Sequence, residues 1–147
     1  MNVKTILAAK KRNLGGDIIS IEPTADLAAA AKLLSAHRIG AVVILGAGGR
    51  LAGILSERDI VRALSDHGAA ALGLPVGQVM TRNVATCSED ESAASIMERM
   101  TAGKFRHMPV VAETKLTGLI SIGDVVKHRV EEIEGESEAM RDYIRTA

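Results

Sequence analysis

Two short stretches of this chain carry the residue types that grip a polar ligand. SERD, from Ser56 to Asp59, and SIGD, from Ser121 to Asp124, each set a hydroxyl three residues before a carboxylate, directly after an apolar run. Their spacing is 65 residues, from 56 to 121 and from 59 to 124. Where a strand ends in Ser and the first turn of a helix carries Asp, a hydroxyl, a carboxylate and the unpaired amides of a helix start meet at one spot. A ribose with an adjacent phosphate needs those groups. Ser and Asp are also ordinary capping residues, so one such element alone reads as a helix cap. Its duplication at one spacing favours ligand binding.

The remaining reactive side chains are sparse. Arg58 stands inside the first element, and Arg106 with His107 opens the run FRHMPVV. An Arg fork suits phosphate, which favours phosphate contact over the alternatives for an Arg–His pair at a strand start, a solvated edge or a salt-bridge partner. His37, His67 and His128 lack ligand spacing to one another and read as surface residues. The single Cys87 excludes an internal disulfide and a thiolate-rich metal site, and reads as an inert buried thiol. There is no nucleophile–base constellation and no GxxxxGK[ST] loop. GAGGR, from Gly46 to Arg50, reads as a turn between strands. Binding is expected here, without catalysis and without a metal.

Composition narrows the partners. Across 147 residues, eighteen basic side chains balance eighteen acidic ones, which leaves no electrostatic footprint for nucleic acid or an anionic membrane. Phe105 and Tyr143 are the aromatic residues, too few for the stacking platforms of single-strand binders. The core must be Ile, Val, Leu, Met and Ala. With no 18-residue apolar run, no signal-peptide pattern and a lone cysteine, a cytoplasmic protein is expected.

The elements that must position these residues follow from an internal repeat. LAGILSERDIVR, from Leu51, aligns without a gap with LTGLISIGDVVK, from Leu116, pairing Gly53 with Gly118. IGAVVIL from Ile39 matches FRHMPVV, and IISIEP from Ile18 matches VATCSE from Val84, both at a spacing of 66. In the first copy, a strand over 18–21 precedes a helix with Thr24 as N-cap and Leu27, Ala30, Ala31 and Leu34 on one face. AVVIL is a doubly buried strand, LAGILS another, and ERDIVRALSDH a helix stopped by Gly68. The second copy predicts a VATC strand, a helix over about 88–102, the strands MPVVA and LTGLIS, and a helix from about Ile122. Pro75 opens a short helical turn in the connector. The fold class is α/β, as tandem βαββα repeats. Residues 1–74 hold the first copy with an N-terminal helix, and 75–147 the second with a helical extension.

This pattern, with GILSERD, GLISIGD and FRHMPVV, resembles the CBS domain pair, or Bateman module, named after cystathionine β-synthase. The resemblance implies two repeats packed sheet against sheet about a pseudo-twofold axis, with two clefts for adenosyl ligands and, for many members, homodimers. It further implies that Asp59 and Asp124 accept ribose hydroxyls while Ser56, Ser121 and the helix starts face phosphate. One cleft would combine Thr81, Val84, Phe105 and Arg106 with Ser56, Arg58 and Asp59; the other Ile18, Ile39, Ser121 and Asp124. Met108 and Pro109 would wall the adenine. Because Arg58, Arg106 and His107 have no counterparts in the other copy, the first cleft is expected to favour more phosphate and the second a nucleoside or monophosphate. The implied ligand is an adenine nucleotide, AMP foremost, with ATP, ADP or NAD(H) as variants and no metal required. A nucleotide sensor acting on a separate regulated protein is the leading expectation, and a dimeric scaffold with idle clefts the alternative.

At the C-terminal end, Val126, Val130, Ile133, Ser137, Met140 and Ile144 recur at helical spacing, weakened by Gly135 and Ser137. That stripe is read either as a cover for its own domain or as a dimer seam.

Overall fold

The computed structural model describes residues 2–14 and 18–146. Helix α1 (Val3–Leu14) leads into the first copy: β1 (Ser20–Ile21), α2 (Leu27–His37), β2 (Ala41–Leu45), β3 (Leu51–Ser56) and α3 (Glu57–His67). A 3-10 segment (Gly68–Gly73) and the single turn α4 (Val76–Val79) connect to the second copy: α5 (Ala93–Gly103), β4 (His107–Ala112), β5 (Lys115–Ser121) and α6 (Ile122–Thr146).

In the first sheet, β2 lies between β1, parallel to it, and β3, antiparallel. The run AVVIL is buried over Ala41 to Ile44, as its unbroken apolar pattern requires. Among the described residues the second sheet consists of β4 and β5, antiparallel. The expected VATC strand is absent. Cys87 makes a single parallel bridge to Val110, in the register where Ile21 meets Ile44 in the first copy. Cys87 N donates to Pro109 O at 3.0 Å and Val111 N to Cys87 O at 2.9 Å. The next rung toward the N-terminus would need an amide from Pro109, which has none, so the ladder stops after one residue.

Helix starts also differ from expectation. Asp26, and not Thr24, caps α2, its carboxylate accepting from Ala29 N at 2.8 Å. The second-copy helix begins at Ala93 under the Ser92 cap. The Ser88–Glu91 segment instead forms a turn, with the Glu91 carboxylate taking the Ser88 amide at 2.9 Å and pairing with Arg99. The turn at 46–50 stays a turn, with Gly48 and Gly49 at positive φ.

Two apolar clusters form the core, and each draws on a segment that precedes the other copy. Leu27, Leu34, Val42, Ile44 and Leu55 of the first copy pack with Val76 and Met80 from the connector. Ile96, Met100, Met108, Val110 and Ile120 of the second copy pack with Val3, Ile6 and Leu7 of α1. The attachments match: Val76 N donates to Ala25 O at 2.7 Å and Val3 N to Glu91 O at 2.9 Å. So do the bridges from Pro75 to Asp26 and from Asn2 to Ser92. The short helix ahead of each repeat therefore docks on the other repeat. This docking buries His128 of α6, contrary to the surface position expected of it: α1 packs on α6, and Ile6 and Ala9 line the same small hollow as His128. His37 and His67 are exposed.

Candidate functional site

Each Ser-x-x-Asp element closes a strand and opens a helix, and each is a reciprocal cap. Asp59 N donates to Ser56 Oγ at 3.3 Å while Ser56 N donates to Asp59 Oδ2 at 2.9 Å. Asp124 N donates to Ser121 Oγ at 3.1 Å and Ser121 N to Asp124 Oδ2 at 2.9 Å. The first amide of each helix is spent as well: Glu57 N donates to Gly40 O at 3.0 Å and Ile122 N to Arg106 O at 2.8 Å. Capping thus accounts for these residues at both positions, and the donors left at each helix start are fewer than the sequence suggested.

The two carboxylates are unequal in what they have left. Asp59 is 4% exposed. Its Oδ2 also accepts from the Ser56 hydroxyl at 3.2 Å, and Oδ1 accepts from Arg62 at 3.3 Å and from Thr81 Oγ1 at 3.4 Å. A carboxylate offers about four acceptor directions, so Asp59 is saturated. Asp124 spends Oδ2 on the Ser121 amide and on Lys10 Nζ, 2.9 Å away. Among the described residues, nothing donates to its Oδ1.

Two clefts are built around these elements. One, of about 420 Å³, is lined by Ser56, Arg58, Asp59, Thr81, Val84, Phe105, Arg106 and His107, with Arg62 and Lys104 at hand. The other, of about 440 Å³, is lined by Ile18, Ile39, Ser121 and Asp124, joined by Lys10, Lys11, His37 and Arg38. His107 and Gly40 belong to both walls. Met108 and Pro109, expected against the adenine, are buried and line neither cleft, Met108 lying in the second core cluster.

The first cleft keeps one more Lys or Arg than the second, while the net charge of the two linings is the same. The first cleft sets Arg58, Arg62, Lys104 and Arg106 against Glu57 and Asp59. The second sets Lys10, Lys11 and Arg38 against Asp124. Cation reaches the second cleft on α1, whose Lys10 also donates to Leu119 O at 2.8 Å. Sequence reasoning missed Lys10 because α1 has no counterpart of equal length in the second copy, and its partner lies 114 residues away.

His107 contributes no full positive charge at neutral pH. Burial lowers its pKa below the ordinary 6.5, the Lys10 ammonium lowers it further, and Asp124 and Glu57 oppose the shift. Its ring lies close against Gly40, where an added Cβ would stand 3.2 Å from it. Cys87 is buried, and burial with the nearby Glu91 charge pushes its thiol up to about 11, which makes it a poor nucleophile. The described residues hold no cluster of His, Cys, Asp and Glu suited to a metal ion, and no described helix is long and apolar enough to cross a membrane.

The chain is similar to known proteins over both repeats. A family model described as the CBS domain matches twice, at residues 14–66 and 76–131. A CBS domain-containing mitochondrial protein of Arabidopsis thaliana is 33% identical over 120 residues. That alignment spans 79% of this chain and 58% of the relative, so the chain matches a little over half of the plant protein's length. A solved CBS-domain containing protein from Agrobacterium tumefaciens is 44% identical, with a TM-score of 0.82 over 87% of this chain and 92% of its own. The CBS domain pair of protein MJ0100, solved in complex with 5'-methylthioadenosine and S-adenosyl-L-methionine, is 26% identical, with a TM-score of 0.77 over 90% of this chain and 98% of its own.

Proposed function

This chain belongs to the CBS domain family, and from that premise we propose that it is a regulatory module that binds an adenine nucleotide in its clefts without turning it over. The observation that carries the reading is the composition of the clefts. Each joins a Ser-x-x-Asp helix start from one repeat to apolar wall residues from the other, with cations at the rim and room for a nucleotide. The adenosyl ligands held by the MJ0100 domain pair support the same class. We take AMP as the first candidate, with ATP, ADP and NAD(H) as the related ones, because each cleft offers cations beside its carboxylate.

The second cleft is the better ribose site, since Asp124 keeps an acceptor oxygen and Asp59 does not. Filling the first cleft requires the ribose to displace Arg62 or Thr81 from Asp59. That saturation is also the specific observation in favour of a scaffold whose first cleft stays idle.

The signal needs an outlet, and the apolar stripe supplies a surface for one. Val61 on α3 and Val126 on α6 hold matching places in the two repeats and are 65% and 42% exposed; Val130, Ile133, Met140 and Ile144 extend the exposed stripe along α6. It does not cover its own domain, so we read it as the seam of a homodimer or the dock of a regulated protein.

Thermal melting of the full chain with AMP, ATP and NAD(H) tests the reading. A ligand at a hundredfold excess over its Kd stabilises the folded state by roughly 2.7 kcal/mol, readily seen as a rise in Tm. Asp124→Ala and Asp59→Ala, tested singly, assign the clefts, and the larger loss of affinity is expected for Asp124→Ala. No shift with any of the three nucleotides would leave the scaffold reading in its place.

A further inference from the structure

We propose that Lys10 is the specificity-determining residue of the second cleft, selecting adenosyl ligands with an anionic 5' group over uncharged or cationic ones. The inference rests on the nucleotide reading and adds the chemical class that this cleft accepts.

Lys10 Nζ holds Asp124 Oδ2 at 2.9 Å and Leu119 O at 2.8 Å, at side-chain exposures of 30% for Lys10 and 21% for Asp124. An ammonium has three donors, so one remains among the described residues. A ribose diol taking Asp124 Oδ1 sits beside that ammonium without having to displace it, because Lys10 uses the other carboxylate oxygen. The 5' substituent of the same ribose then lies within the field of Lys10, Lys11 and Arg38, with Asp124 as the carboxylate lining the cleft among the described residues. Partial burial raises the worth of that charge above its value in water. A phosphate is favoured there, a bare 5'-hydroxyl gains little, and a sulfonium is repelled.

The other cleft has no such arrangement. Its equivalent carboxylate is held by Arg62 and Thr81, and among the described residues no lysine from a distant element touches it. The two clefts therefore differ in the origin and placement of their charge, although their cation content is similar. Lys10 arrives on the helix that docks across repeats, so its selectivity depends on that docking.

Calorimetric titration of the full chain with AMP, adenosine and S-adenosyl-L-methionine is the test, run on the native protein, Lys10→Met, Lys10→Gln and Lys10→Arg. Native protein is expected to bind AMP about tenfold more tightly than adenosine at one site, the scale of a charge-assisted hydrogen bond to phosphate, and S-adenosyl-L-methionine more weakly than either. Lys10→Met, which keeps an unbranched apolar stem, and Lys10→Gln remove most of that preference; Lys10→Arg keeps it. A merely structural lysine gives a different pattern, in which AMP and adenosine weaken together and the unliganded Tm falls with them. That pattern, or a ratio unchanged in Lys10→Met, overturns the role of Lys10 while leaving nucleotide binding intact. If no adenosyl compound binds the native protein, the nucleotide reading itself is overturned and this inference with it.

Discussion

His107 is the side chain that both clefts share, and its protonation state follows from where it sits. Burial disfavours the imidazolium first, and the charges of Lys10 and Arg106 add to the effect against Asp124 and Glu57. The folded-state pKa is thus below the unfolded one. Between the two values the unfolded chain binds the extra proton, so stability rises with pH across that window and levels off above about 6.5. Tm measured from about pH 5 to pH 8 is expected to drop on the acid side, and His107→Gln to flatten part of that drop. An acid limb of the same steepness in the variant would show that another group is responsible. At this scale the sequence was informative about residue type and weak about occupancy. Ser56, Asp59, Ser121 and Asp124 stand out by spacing, but only their hydrogen bonds reveal that Asp59 is saturated and Asp124 half open. Lys10 carries no local signal at all, because a lysine on an amphipathic helix is ordinary until the helix has a place to dock.

Elements were legible where the pattern is local. Continuous apolar runs gave the strands β2 and β4, and Ser and Gly punctuation gave the helix starting after Ser56 and ending before Gly68. The VATC segment fails as a strand for a reason outside itself, since Pro109 on its neighbour lacks the amide that would extend the pairing. The duplicated glycines show the same dependence on neighbours. A Cβ on Gly53 would stand 2.6 Å from the Thr81 carbonyl oxygen and 2.8 Å from Met80 Sδ, whereas one on Gly118 meets the tip of the Leu7 side chain at 2.6 Å. Backbone cannot step aside as a leucine methyl can. Gly53→Ala is therefore expected to cost about 1–3 kcal/mol by overpacking and to move Thr81 out of the first cleft. Gly118→Ala is expected to cost distinctly less. Urea denaturation of both variants compares them directly, and equal losses would mean that the Leu7 contact is as rigid as the Thr81 backbone.

At the scale of the whole molecule, the repeat was visible in sequence but the exchange of leading helices was not, because α1 and α4 differ in length and share no motif. Its physical consequence is that neither half owns its complete core. The first copy relies on Val76 and Met80, which follow it in the chain, and the second on Val3, Ile6 and Leu7, which precede the first. Each such side chain contributes about 1.5–3 kcal/mol when fully buried, comparable in sum to the net stability of a small domain. A chain divided at 74/75 is accordingly expected to give two fragments, 1–74 and 75–147, that do not fold cooperatively alone. In 1–74 the first copy lacks its connector residues and α1 has nothing to cover; in 75–147 the second core is open where α1 would lie. Mixing the fragments restores both dockings at once, so complementation is expected to return a cooperative melt and, with it, the second cleft, whose Lys10 and Asp124 come from different fragments. Circular dichroism of each fragment and of the mixture decides the matter: a cooperative transition in 75–147 alone would show that α1 is an accessory to the second repeat, with no part in holding its core.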